Sequence, residues 1–238
     1  FIPPEYLVSG RNKGPEKLIT GAVLKVGKYN EVWPAMKTTD LQSGVGASRS
    51  SDGTLRSFTS ACGQSFFRGD RLGEDVHGDY FVCEPVGRLV RRSKVKYLDS
   101  GHLELSNLYE NSIGEFITSS DGNFRPVNTY TGPDGCLYVV DMYRGVIQEK
   151  SFMTPYLKQE ILKSKYDKNI GRGRIYRVKR DGFSPGEKPN LLDADPERLV
   201  ASLKHPNGWW RDMAQSIIVN RRLVKLVPFL EKIVMSDP

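Results

Sequence analysis

Residues 124–148 read FRPVNTYTGPDGCLYVVDMYRGVIQ and bring Arg125, Asp134, Asp141 and Arg144 into one short stretch. An arginine held beside a rigid proline, as Arg125 is beside Pro126, can present its guanidinium as a fork to a carboxylate or a sugar hydroxyl. The alternative is an ion pair with an acid of a neighbouring structural unit. Asp134 lies in GPDG, where proline and glycine sit as a tight turn requires, so its first role is that of a turn former. Asp141 ends the apolar run LYVVD, where an acid caps the amides of the next turn. Carboxylates in such loops also suit calcium, and Asp134 and Asp141 are the candidate ligands.

A second stretch, residues 60–92, SACGQSFFRGDRLGEDVHGDYFVCEPVGRLVRR, looks like an imperfect copy of residues 124–149. Each has a polar lead-in, a turn of Gly and Asp, an apolar strand ending in an acid (YFVCE, LYVVD), and a following segment opened by Gly and a basic residue. Aligning the two places Gln64 near the position of Arg125 and makes Arg68, Asp70 and Arg144 rim candidates. Repeated antiparallel units of this kind imply propeller blades. Two copies do not close a ring, so further blades are expected upstream of residue 1.

The three histidines have no metal-ligand spacing. His77 and His102 sit in turns, and His205 precedes Pro206-Asn207-Gly208, where it would cap a helix C-terminus. Cys62, Cys83 and Cys136 show neither CxxC nor CxxCH spacing; one disulfide with one free thiol and three thiols are both open.

The elements that must position these residues alternate with turn signals. Strand candidates are 21–27, 57–61, 65–69, 79–85, 87–95, 102–109, 115–120, 136–142, 145–149 and 174–180. TPYLKQEILKSK (154–165) carries Thr154 as N-cap, Pro155 at the first helical position and apolar residues at 157, 161 and 162. The Pro/Gly-rich stretch 182–193 reads as a linker. After it, Asp195-Pro196 opens a helix, and apolar positions 209, 210, 213, 214, 217 and 218 form one helical stripe. The expected architecture is mainly β: the C-terminal part of a β-propeller over 1–181, then the start of a HEAT-like α-solenoid over 194–238.

The chain has 238 residues, 38% hydrophobic and 10% aromatic, enough for a buried core, with a net charge of +7 that favours acidic partners or simply keeps a basic surface soluble. No apolar run approaches the roughly 18 residues of a membrane span. GRGRIYR (171–177) lacks the helix of a phosphate loop, and the basic residues are not dense enough for a nucleic-acid face. Trp209 and Trp210 are either core or platforms for a sugar. The opening FIPPEYLVSG, without an initiator Met, reads as a mature or internal segment.

CGQSFFRGDRL, GDYFVCEPVGRLVRR, FRPVNTYTGPDGCLYVVDMYRGVIQE, GRGRIYRV and HPNGWWRD, in that order, resemble the secreted membrane-bound dehydrogenase-like proteins of planctomycetes, verrucomicrobia and Bacteroidetes. That resemblance implies a quinoprotein sugar- or sorbosone-dehydrogenase-like propeller with HEAT repeats in a periplasmic or secreted protein, with any membrane association made through parts outside this sequence. It implies oxidation of a sugar or related alcohol, with pyrroloquinoline quinone as cofactor and a cytochrome c domain or partner as acceptor. In that scheme Arg125 and Gln64 orient cofactor or substrate. Without CxxCH, haem c is expected only outside this sequence or in a partner chain, and none of the three histidines stands where that group's general base would. The alternative is a non-catalytic binding or assembly module for carbohydrate or protein.

Overall fold

The computed structural model describes residues 31–41, 49–99, 103–109 and 113–236. The strand candidate at 21–27 and His102 lie outside them. The described residues form eight strands: β1 (Cys62–Phe66), β2 (Tyr80–Glu84), β3 (Leu89–Tyr97), β4 (Leu103–Asn107), β5 (Ile117–Thr118), β6 (Pro126–Thr131), β7 (Leu137–Asp141) and β8 (Arg174–Val178). Among the same described residues four short helices accompany them: α1 (Pro155–Lys163), α2 (Pro196–Ser202), α3 (Gly208–Asn220) and α4 (Val227–Ser236). No helix among the described residues is long and apolar enough to cross a membrane.

One antiparallel sheet runs β1-β2-β3-β4, with β5 on the same edge of β3 as β4; the other runs β6-β7-β8. β3 can serve two neighbours because its nine residues divide: Leu89 and Val90 pair with β5, and Ser93–Tyr97 with β4. The two sheets share a core of Phe67, Leu72, Val76, Phe81, Cys83, Val90, Leu137 and Val139. Each large apolar side chain removed from water there contributes on the order of 2 kcal/mol.

This arrangement corrects the expected propeller. The described residues form two small antiparallel sheets with no closed ring, and with four helices the fold is mixed α/β. The cause lies in how the two sequence copies diverge. The first copy folds as β1-β2-β3, but the second yields only β6 and β7, and residues 145–149 form no strand. Tyr143 takes a left-handed conformation (φ 44°), which ends the extended run after Asp141. The carbonyls of Arg144 and Gly145, which a strand would use for pairing, accept instead from the Arg125 guanidinium. β8 then fills the third place, after α1 has intervened.

The helical expectation needs correction too. α1 forms as its caps predict: Thr154 Oγ1 accepts from Leu157 N at 3.2 Å, and Leu157 and Ile161 are buried. Asp195 caps α2 by accepting from Arg198 N at 2.7 Å. However, α2, α3 and α4 do not read as a HEAT solenoid. They enclose one small core of Leu191, Leu199, Trp210, Ala214, Ile218 and Leu226, and α3 is bolted to the second sheet. Asn207 Nδ2 donates to Gly132 O (2.9 Å) and Pro133 O (3.2 Å), Trp210 Nε1 donates to Pro133 O (2.9 Å), and Gly208 N donates to Arg68 O (2.7 Å).

The sheets approach most closely where β1 meets β6. Gly63 has φ 56°, and a Cβ there would lie 2.0 Å from Val127 O. Two residues on, Ser65 Oγ and Thr129 Oγ1 are 2.6 Å apart. Gly63→Ala should therefore lower unfolding stability by about 3 kcal/mol, from overpacking added to backbone strain. Gly78, also at positive φ but facing open space, should lose only about 1 kcal/mol on the same substitution. Urea unfolding of the two variants measures the difference.

Candidate functional site

Arg125 stands immediately before β6, where its N–H donates to Asp141 Oδ1 at 2.7 Å. Pro126 can open the strand because a first residue need not donate to the ladder. The guanidinium is 1% exposed. Nε donates to Arg144 O (3.1 Å), Nη1 to Pro85 O (2.9 Å), and Nη2 to Gly145 O (2.7 Å) and Asp40 Oδ2 (2.5 Å). Four of the five donors an arginine offers are thus engaged within the protein.

Asp40 is shared. Arg88 Nη2 donates to both its oxygens at 3.0 Å, while Arg88 Nε reaches Gly122 O and Nη1 reaches Val86 O. Arg88 holds an unfavourable φ of 59° in the β2–β3 turn, and these bonds fix it there. Burial alone would push the Asp40 carboxyl up, but Arg125 and Arg88 together hold it below its ordinary 3.8. Two further acids, Glu84 and Asp141, are buried nearby. Glu84 accepts from the amides of Thr59 (2.8 Å), Ser60 (2.8 Å) and Val86 (3.1 Å), and Asp141 accepts from Arg125 N and Tyr143 N. Both strand-end acids thus cap amides. A cleft of about 310 Å³ opens beside this cluster, with Thr59, Ser60 and Gln148 facing Val146, Leu157 and Ile161.

A second cleft, of about 390 Å³, lies where β1, β6 and the start of α3 meet. Gln64 and Phe66 are two apart on β1, and Asn128 and Tyr130 two apart on β6, so each pair shares a strand face. α3 adds Trp209 and Asp212. Phe66 is 44% exposed and Tyr130 55%. Trp210 is buried in the helical core, and half-buried Trp209 meets it edge-on at 6.2 Å, packing against that core while also lining the cleft. Asn128 Nδ2 donates to Tyr130 Oη at 2.6 Å, and Arg68 forms a two-pronged pair with Asp212 at 2.8 and 3.1 Å.

The residues singled out from sequence therefore fall in separate places. Arg125 belongs to the buried cluster, to which Arg144 lends only its carbonyl, its side chain being exposed. Gln64 and Arg68 line the second cleft. Asp70 lies 3.6 Å from Arg71 and packs under the Gly135 turn. His77 closes a short turn with its backbone N–H on Glu74 O. His205 does not cap α2, which ends before it. Its Nδ1 accepts from Asn207 N at 3.0 Å, and its ring stacks on Trp210 at 4.7 Å.

Asp134 makes its turn by accepting from Cys136 N (3.2 Å) and Tyr138 Oη (2.9 Å). Asp134 precedes β7 and Asp141 ends it, so at least ~13 Å of strand separates them. Asp141 Oδ2 is buried without a hydrogen-bond partner, but the bonds around Asp141 come from amide donors rather than oxygen ligands. No group of three or more His, Cys, Asp or Glu able to hold a metal occurs among the described residues. The pair does not fit calcium. Of the arginines expected at a quinone, Arg125 is engaged inward, Arg68 is paired with Asp212 and Arg144 is exposed.

Asp40, Asp212, Asn128, Tyr130 and Phe66 are residues that sequence reasoning missed. The alternation in VNTYT and GQSFF is the signal that could have found the last three, since i and i+2 share a strand face.

Asp40→Asn leaves two buried guanidiniums without their counter-ion and should cost about 3–5 kcal/mol. Because the folded carboxyl titrates below 3.8, its contribution is complete above that pH and is lost as pH falls through the folded value. The variant should therefore lack that part of the wild-type acid transition, as followed by circular dichroism from neutral pH downward.

No curated protein and no solved structure matches the chain. A family model described as a domain of unknown function, DUF7133, matches residues 2–182, which include both sheets, α1 and the whole Arg88–Asp40–Arg125 cluster. The chain belongs to this DUF7133 family.

Proposed function

We propose that this chain is a carbohydrate-binding module whose site is the cleft between β1, β6 and α3. The observation that carries the proposal is the convergence there of Phe66, Tyr130 and Trp209 with Gln64 and Asn128, from three elements far apart in sequence. A sugar ring has an apolar C–H face that packs on aromatic rings and hydroxyls that need planar or paired donors and acceptors. Asn128 and Gln64 supply amides, and the Arg68–Asp212 pair supplies forked donors beside a carboxylate. That pair is neutral overall, which favours a neutral sugar over an acidic one.

The oxidation implied by the family resemblance would act on the same class of ligand and would use the same cleft. Asp212 is the lining carboxylate available to take a hydroxyl proton, once released from Arg68. That reading needs an electron acceptor beyond the described residues, so binding is the function supported best. A secreted or periplasmic setting, also implied by the resemblance, suits a protein that meets sugars outside the cytoplasm.

Tryptophan fluorescence and calorimetric titration against neutral mono- and oligosaccharides, with uronic acids for comparison, test the proposal. Wild type should bind at least one neutral sugar saturably, and Trp209→Ala or Asn128→Ala should weaken it about tenfold, or ~1.4 kcal/mol. Asn128→Ala should leave the melting temperature nearly unchanged. Absence of saturable binding across the panel, or binding indifferent to both substitutions, would sink the idea.

A further inference from the structure

We infer that Cys62 and Cys83 are a disulfide-forming pair that can staple β1 to β2. In the structure both are thiols, and they are direct partners in the antiparallel ladder. Residues opposed in this way have Cα atoms about 4.5–5.5 Å apart, inside the ~4.4–6.8 Å window of a disulfide. Opposed residues also share a sheet face, and both cysteines pack on the same core around Phe67 and Phe81. The register shift between Cys62 and Ser65 leaves β1 a place to adjust beside the bond. Cys136 lies elsewhere, at the head of β7.

The two thiols differ in access. Cys62 is half-buried and Cys83 fully buried, which sets the order of events with a small disulfide such as oxidised glutathione. The Cys62 thiolate attacks one sulfur and expels a glutathione thiolate, leaving a mixed disulfide. Cys83 then loses its proton, attacks Cys62 Sγ and expels the second glutathione. The protein gives up two electrons and two thiol protons, and the oxidant becomes two reduced glutathiones. Burial holds both thiols above their ordinary 9.0, so exchange should be slow at neutral pH and faster as pH rises. This inference stands on strand geometry and does not depend on what the neighbouring cleft binds.

The full chain is incubated with oxidised glutathione, quenched in acid, alkylated under denaturing conditions and mapped by mass spectrometry. The expected product has lost two hydrogens, contains a Cys62–Cys83 linked peptide, keeps Cys136 alkylated, and returns to the thiol form with reduced glutathione. Cys83→Ser should stop at a mixed disulfide on Cys62, while Cys136→Ser should behave as wild type. A wild-type chain that stops at the mixed disulfide, links through Cys136, or forms the 62–83 bond only when urea is present would overturn the inference. Should Cys83→Ser fail to fold, the wild-type map and Cys136→Ser still separate these outcomes.

Discussion

Four buried arginines set the terms on which this fold exists. Arg88, Arg91 and Arg92 sit at or within β3, Arg125 at the head of β6, and none is more than 8% exposed. A guanidinium in such a place is stable only with a carboxylate beside it, and removing one partner is far more costly than never having had the pair. Each carboxylate comes from another segment. Asp40 serves Arg88 and Arg125, Glu115 serves Arg91, and Asp79 serves Arg92 at 2.5 Å. Arg91 also lies over the rings of Phe58 and Trp33, and Glu115 accepts from Trp33 N. Segments without regular structure, 31–41 and 113–116, are in this way pinned to the sheet by charge.

That pairing borders one of the two clefts, and sheet-to-sheet contact builds the other. At the first, Arg125 and Asp40 make their hydrogen bonds within the protein, while Thr59, Ser60 and Gln148 line the opening. At the second, close approach of the sheets at Gly63 brings two edge strands side by side, and the Asn207 and Trp210 bonds to the GPDG turn place α3 over the gap. Trp210 is buried in the helical core, and Trp209, one residue earlier, lies between that core and the cleft.

Local signals survived in the sequence where the cause was local. Thr154 and Asp195 as caps, Gly135 at positive φ, and the strands YFVCE and LYVVD all depend on near neighbours. The propeller inference failed because resemblance between the two copies ends at Asp141, and the path of the chain beyond it depends on Arg125 reaching the carbonyls of 144 and 145. Such a contact has no periodicity to reveal it. Arg125 itself stood out as a constrained position, correctly, but the constraint serves the interior: its counter-ion is 85 residues away, at Asp40. The basic run RLVRR likewise gives no hint that its arginines point into the protein, because the acids that admit them are scattered along the chain.

The family domain ends at residue 182, and α3 begins at Gly208. The second cleft is thus a joint construction: its floor of Gln64, Phe66, Asn128 and Tyr130 belongs to the family's sheets, while Trp209 and Asp212 are contributed by a helix beyond the domain's end. Selectivity in such a site has two authors. A change in the helical part could retune which ligand is held without disturbing a single strand, and the sheets alone would present an open shelf rather than a cleft.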